Sequence, residues 1–282
     1  MKIEELIARE RDYFKPMHER KNFYSKESLE SFGNETVRER KLRVSTEVYD
    51  MCGGCVSNGP FKDMKLSKSS WLPGLDLGSM CLGLYERGLL DSIVEELNNS
   101  GRRLFIDIGA ADGYYAIGLL STELVGRAIC FELRSISQES IVNNWQINNS
   151  PGSIEVYGDV LKNLERIYHP ECSNAVILID IEGVEFELFK QIDLSLLQNA
   201  VIYIEIHNWV ENFDEKYEEL LISADEFFNI EIVKSKLVDF DDIPMLRSFT
   251  DDNRFSLYSE SRPCAMRFLK LTPKNILIDK KQ

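Results

Sequence analysis

The chain has 282 residues, 44% of them hydrophobic, enough to bury a substantial core in one large domain with a small appendage. Its 33 basic residues stand against 47 acidic ones, a formal charge of −14. That balance argues against a nucleic-acid partner, whose phosphate backbone attracts basic patches.

Residues 1 to about 45 are charged and helical in pattern, interrupted by Pro16 and Gly33. The Met1-Lys-Ile-Glu-Glu start lacks the apolar core of a signal peptide, and no run approaches the length of a transmembrane helix. Six cysteines are scattered without a paired framework, which suits a reducing compartment. The expectation is a soluble, cytoplasmic protein. From Val48 to about Ser79 the chain turns rich in Gly, Ser and Pro, with Cys52-Gly-Gly-Cys55 and Trp71-Leu-Pro-Gly74, and reads as an irregular arm or short hairpin. A closed zinc site needs four ligands. No second Cys-x-x-Cys occurs, and neither His18 nor His169 has ligand spacing to the first, so Cys52 and Cys55 are expected to sit in a turn. A helix is expected over Leu82–Leu97, which closes an N-terminal extension of residues 1–98. An α/β domain over 99–282 follows.

Leu104 to Ile108 is a short apolar run broken by Asp107 near its carboxyl end, and reads as a buried strand. Gly109 and Gly113 allow a sharp turn with close approach of a ligand, and helical spacing resumes at Tyr114. Strands at Ala128–Glu132, Ser153–Tyr157, Ala175–Ile179 and Val201–His207 alternate with helices near 114–124, 136–149, 184–192 and 214–228. Ile230–Lys234 and Ala265–Leu271 supply a sixth and a seventh strand. The first five strands each deliver polar residues to one edge of the sheet: Asp107, Glu132, Asp159 just beyond the third, Asp180 with Glu182, and Glu205 with His207. Packing alone does not demand that regularity. The runs 238–243 and 250–253 are expected to be solvated acidic loops.

The loop discriminates between ligands. No Gly-Lys-Ser/Thr ending makes it a phosphate loop, and Gly109-x-x-x-Gly113 is not the Gly-x-Gly-x-x-Gly of a dinucleotide site. Asp107 would repel a pyrophosphate and suits a cationic or amino-bearing ligand. Asp107-x-Gly109-Ala110-x-x-Gly113 therefore resembles motif I of the class I S-adenosylmethionine (SAM) methyltransferases. Glu132, about twenty residues on, is placed to take both ribose hydroxyls, and Asp159 to accept from the adenine amino group.

More narrowly, Ile106-Asp-Ile-Gly-Ala-Ala-Asp-Gly-Tyr-Tyr115, Ile179-Asp-Ile-Glu-Gly183-Val-Glu and Ile204-Glu-Ile-His207 resemble the FkbM-type methyltransferases, as do Gly59–Leu66 and Leu82–Glu86 upstream. The resemblance runs from about residue 50 onward. It implies a Rossmann-like, seven-stranded, mostly parallel sheet whose last strand is antiparallel, and SAM-dependent methylation of an oxygen on a sugar, glycan or natural product. His207 is then the candidate general base. Asp180, Glu182 and Glu205 would orient it or bind acceptor hydroxyls, and Trp209 would stack on a sugar ring or on adenine. These three acids with one imidazole also suit Mg²⁺ or Mn²⁺, although a metal-free site needs the same carboxylates to recognise hydroxyls. Two other classes stay open: a catalytically silent methyltransferase-like binding module, and an NAD-dependent dehydrogenase or epimerase, whose Gly-x-Gly-x-x-Gly fingerprint is missing and which Asp107 opposes. Within the methyltransferases the rival is an N-methyltransferase, whose Asn/Asp-Pro-Pro-Tyr/Phe motif is absent. The oligomeric state, a homo-oligomer included, stays open as well.

Overall fold

The apolar runs form strands, and the central ones are buried along their whole length, as parallel strands covered on both faces are. In a computed structural model that describes residues 3–19, 35–68, 74–262, 264 and 266–274, these are β1 (Leu104–Ile108), β2 (Arg127–Phe131), β3 (Ser153–Tyr157), β4 (Val176–Ile179), β5 (Val201–Ile206), β6 (Phe228–Ile232) and β7 (Arg267–Pro273). The sheet order is β3-β2-β1-β4-β5-β7-β6. β1 to β5 are mutually parallel, and β7 enters antiparallel between β5 and β6. This is the Rossmann-like sheet of class I methyltransferases, the fold class expected from the sequence.

Two compact units contain the described residues. The first is drawn from Met1–Lys68, Leu72–Arg87 and Lys236–Ser261. The second is drawn from Ser69–Trp71, Gly88–Ser235 and Arg262–Gln282 and holds the sheet.

In the first unit, α1 (Ile3–Glu19) runs through Pro16, where an interruption was expected. Gly33 and Trp71-Leu-Pro73 lie outside the described residues. α2 (Val37–Met51) begins with a capping box, in which Thr36 Oγ1 accepts from the Glu39 amide and the Glu39 carboxylate accepts from the Thr36 amide. Buried Lys41 on α2 pairs with Asp76 at 2.6 Å and donates to the Ser259 carbonyl. The expected hairpin amounts to one antiparallel bridge, Cys55 to Lys65, and Cys52 caps α2; all six cysteines are free. In place of one helix over Leu82–Leu97, a short α3 (Leu77–Cys81) ends in a turn where Glu86 is left-handed (φ 43°), and a new helix starts only at Arg87. The acidic run 250–253 is a helix start, not a loop. Thr250 accepts from the Asn253 amide and opens a helix over Asp251–Tyr258. Asp239 likewise caps the short turn Phe240–Asp242.

In the second unit, α4 (Arg87–Ser100) meets one sheet face, where Ser92 receives the Tyr203 hydroxyl. On the other face Ile106, Ile108, Ile177, Ile179, Ile202 and Ile204 form one cluster with Phe186, Leu188 and Phe189 of the helix after β4 and with Leu220 and Ala224 of the helix after β5. Between strands run α5 (Tyr114–Ser121), α6 (Ser135–Ile147), α7 (Leu164–Ile167), α8 (Glu185–Gln191) and α9 (Phe213–Asp225). α10 (Asp251–Tyr258) belongs to the first unit. Among the described residues no helix is long and apolar enough to cross a membrane.

Register sets where the strands end. β1 has β2 on one side and β4 on the other, the switch point at which open α/β sheets bind ligands. Ile108 lies beside Ile179, which lies beside Ile204, and the Asp180 amide donates to the Ile108 carbonyl at 2.8 Å. The residues that follow β1, β4 and β5 are thereby brought together. Gly109 takes φ 95°, and a Cβ there would stand 1.7 Å from the Asp180 carbonyl oxygen. Gly109→Ala is expected to cost at least about 2 kcal/mol, from left-handed strain and overpacking together. An unchanged urea midpoint would contradict this close crossing of β1 and β4.

Candidate functional site

The loop after β1 is tied down by its own amides. Gly109 and Ala110 both donate to the Phe131 carbonyl at the end of β2, at 2.9 and 3.1 Å. Gly113, left-handed at φ 83°, then leads into α5, which is buried at every position but its last. Asp107 on β1 is buried, and its Oδ2 makes no hydrogen bond among the described residues. Burial pushes its carboxyl up to about 8; the nearby Asp180, Glu132 and Asp112 charges add to this and the Ala116 amide works against it. A buried acid with an unmet oxygen beside a glycine turn suits a positively charged or amino-bearing ligand group.

Glu132 does stand beside this loop, but its carboxylate already has work. Oε2 accepts from the Ala111 amide at 3.0 Å and Oε1 from the Arg134 amide at 2.9 Å. Each oxygen keeps a second lone pair for a hydroxyl donor. Asp159 follows β3, where its Oδ1 caps a short turn by accepting from Leu161 and its Oδ2 lies 3.4 Å from Lys162. Tyr114 and Tyr115 pack edge to face, with centroids 5.5 Å apart.

The second cluster stands where β4 and β5 end. His207 is fully buried. Its backbone amide and its Nδ1 both approach Glu185 Oε1, at 3.0 and 3.2 Å, and Glu185 Oε2 accepts from the Gly183 amide at 2.8 Å. Glu185 lies in the first turn of α8 and is itself fully buried. A carboxylate only accepts, so Nδ1 carries the proton and Nε2 is left as the outward nitrogen. Nε2 faces Asp180 Oδ1 at 3.5 Å, Glu205 Oε2 at 3.5 Å and Glu182 Oε2 at 3.7 Å. None of these is a hydrogen bond. Nε2 and Asp180 Oδ1 are buried with no hydrogen-bond partner among the described residues.

Electrostatics follow from that crowding. Burial raises the Asp180 and Glu182 carboxyls above the usual range, and the Asp180 charge adds to the rise at Glu182. Burial lowers the His207 imidazole, but the Glu185 hydrogen bond and the Glu185, Asp180 and Glu182 charges outweigh it, so the net shift is upward. Glu182 and Gly183 are both left-handed, at φ 53° and 99°. A Cβ on Gly183 would reach Val210 at 2.7 Å. This turn leaves the Glu182 side chain 69% exposed while Asp180 is 29% exposed. Trp209 lies 4.8 Å from the His207 ring and is itself part-exposed, at the rim.

Asp180, Glu182, Glu205 and His207 are therefore together, as are Asp107, Gly109, Ala110, Gly113 and Glu132. Two residues without an expected role complete the set. Glu185 anchors His207, and Arg262 binds Glu205 at 2.6 Å and lies over the Phe268 ring, which commits Glu205 to an ion pair. His207 is wholly buried, and its Nε2 has the Asp180 and Glu182 carboxylates at 3.5 and 3.7 Å. Among the described residues no metal-competent group includes Cys52 or Cys55.

No protein-family model matches this chain, and no curated protein matches it. Solved structures do. An O-methyltransferase of Bacillus cereus in complex with S-adenosylhomocysteine (SAH) is 16% identical, over 82% of this chain and 91% of its own, with a TM-score of 0.44. M. capricolum TrmK, in complex with the natural cofactor product SAH, is 15% identical over 66% and 68%, with a TM-score of 0.42. A precorrin-6y C5,15-methyltransferase of Geobacter metallireducens is 11% identical over 66% and 88%, also at 0.42. The strand order, rather than these likenesses, carries the fold assignment.

Glu185→Gln would place an amide NH₂ against one of three N–H donors, leaving a buried donor unmet. The expected cost is about 1–3 kcal/mol in a denaturation experiment. Equal stability of variant and parent would remove Glu185 as the anchor of His207.

Proposed function

We propose that this chain is a SAM-dependent methyltransferase of FkbM type that methylates a hydroxyl on a sugar, glycan or natural-product acceptor. One observation supports this above the others. The glycine turn after β1, with the unmet Oδ2 of Asp107, directly abuts the Asp180–Glu182 turn after β4. A cofactor side and an acceptor side are thus neighbours on one sheet edge.

The residues present fit SAM. Asp107 would take its amino group, the Gly109–Ala110 turn would admit it without a side chain in the way, Glu132 would receive ribose hydroxyls through its second lone pairs, and Asp159 would accept from the adenine amino group. Bound SAM supplies a sulfonium methyl, which needs alignment with the acceptor more than electrophilic help. Glu182 and Asp180 accept hydrogen bonds from acceptor hydroxyls and orient the attacking oxygen. The acceptor proton passes into the carboxylate–imidazole cluster, whose carboxyls hold protons more tightly than free ones and whose imidazole is stabilised in its charged form. His207 acts from behind the carboxylates, and Trp209 offers an aromatic face at the rim.

Calorimetric titration of the purified chain with SAH is expected to give micromolar affinity, weakened at least tenfold by Asp107→Asn, because a charge-assisted bond to the amino group is worth about 1.5–3 kcal/mol. Failure of well-folded protein to bind SAH would favour the silent binding module. Unchanged affinity in the variant would take Asp107 out of the site.

A further inference from the structure

We infer that His207 Nε2, Asp180 and Glu182 form a binding site for a divalent first-row transition cation, with Mn²⁺ the ion its mixed donors suit. Four features carry this. First, the spacing is wrong for hydrogen bonds and right for a shared ion. Nε2 stands 3.5 Å from Asp180 Oδ1 and 3.7 Å from Glu182 Oε2, and the three ligand atoms lie within 4.8 Å of one another. Two donors that are each about 2.1 Å from a common ion stand about 3–4.2 Å apart.

Second, the imidazole is prepared as a ligand. Glu185 holds the Nδ1 side, the carboxylate–histidine arrangement that fixes tautomer and ring orientation in metal sites. Nε2 is left buried, without a hydrogen-bond partner, and aimed at the two carboxylates. Third, acid outnumbers base around the imidazole. Four carboxylates surround His207, against Arg262, which pairs with Glu205 and also acts on Asp180, and Arg134, which acts on Glu182. The Arg262 ion pair leaves Glu205 out of the ligand set. Fourth, one nitrogen and two carboxylates favour Mn²⁺ over Mg²⁺ or Ca²⁺, which prefer all-oxygen sets.

The site is defined by its geometry alone; its use in holding acceptor oxygens beside the cofactor rests on the methyltransferase reading. Glu182 is exposed, so the cluster is open on its Glu182 side.

The test is a Mn²⁺ titration of the full chain after chelator treatment and dialysis, following loss of the free-Mn²⁺ electron paramagnetic resonance signal. One ion per chain at micromolar affinity is expected, with Mg²⁺ competing only at much higher concentration. Asp180→Asn and His207→Gln should weaken binding at least tenfold. Because buried substitutions can impair folding, Glu182→Gln, at an exposed side chain, is measured beside them with the same expectation. No depletion of free Mn²⁺ would overturn the inference, as would equal affinity in parent and Glu182→Gln protein. SAH titration of the same samples separates the two readings. SAH binding without Mn²⁺ binding sinks the cation site alone, whereas Mn²⁺ binding without SAH binding supports the cation site and counts against the methyltransferase reading.

Discussion

Glu185 accepts three N–H groups from two places in the chain: the Gly183 amide in the turn after β4, and the amide and Nδ1 of His207 after β5. A buried carboxylate would otherwise be costly, since desolvation must be offset by hydrogen bonds. Here those bonds also join two strand ends that the parallel ladder no longer holds, because β4 ends at Ile179 and β5 at Ile206. The orientation of His207, the outward course of Glu182 and the position of Trp209 all follow from that junction.

Around it the sheet edge concentrates acid. Asp107, Asp180 and Glu182 are each raised in proton affinity, first by burial; neighbouring carboxylates add to the rise at Asp107 and Glu182, whereas at Asp180 the Glu205 hydrogen bond and the His207 and Arg262 charges work against it. Such mutual repulsion is unfavourable in a ligand-free protein and marks a place where positive charge is to be received. The two halves differ in what would relieve them. Near Asp107 a single unmet oxygen faces a loop whose amides are spent on Phe131 and Glu132, so one small polar group suffices. Near His207, one nitrogen and several oxygens converge.

Local chemistry was legible in the sequence, and tertiary pairing was not. The Asp107–Gly109 turn, the apolar parallel strands and the polar strand ends depend on neighbours a few residues away, and they stand close to where the sequence put them. The last two strands are displaced by two residues, β6 starting at Phe228 and β7 at Arg267, because their ends are set by pairing with each other and not by their own patterns. Glu185 appeared only as the last letter of Asp180-Ile-Glu-Gly-Val-Glu. Its role depends on β5 carrying His207, 22 residues later, across the first turn of α8. In the sequence it is one of two acids, with Glu187, in the first turn of a short helix, and nothing there sets it apart. Arg262 left no signal either, since it meets Glu205 from the segment leading into β7. Glu132 stands beside the glycine loop, and two turn amides, which its sequence position does not reveal, occupy its oxygens.

The chain leaves the sheet-bearing unit after Ser235, contributes Lys236–Ser261 to the other unit, and returns at Arg262 to make β7. Contacts such as Arg40 with Asp252 and Lys41 with Ser259 close loops of more than 200 residues. During synthesis, therefore, neither unit can be finished in order of appearance. Helix α2, which carries Arg40 and Lys41, waits for residues beyond 250, and β5 and β6 hold their facing edges unpaired until β7 emerges between them. Exposed strand edges of this kind invite wrong partners. A nascent chain stalled before residue 267 would carry that hazard in full, which makes the timing of translation through the late insert a determinant of yield.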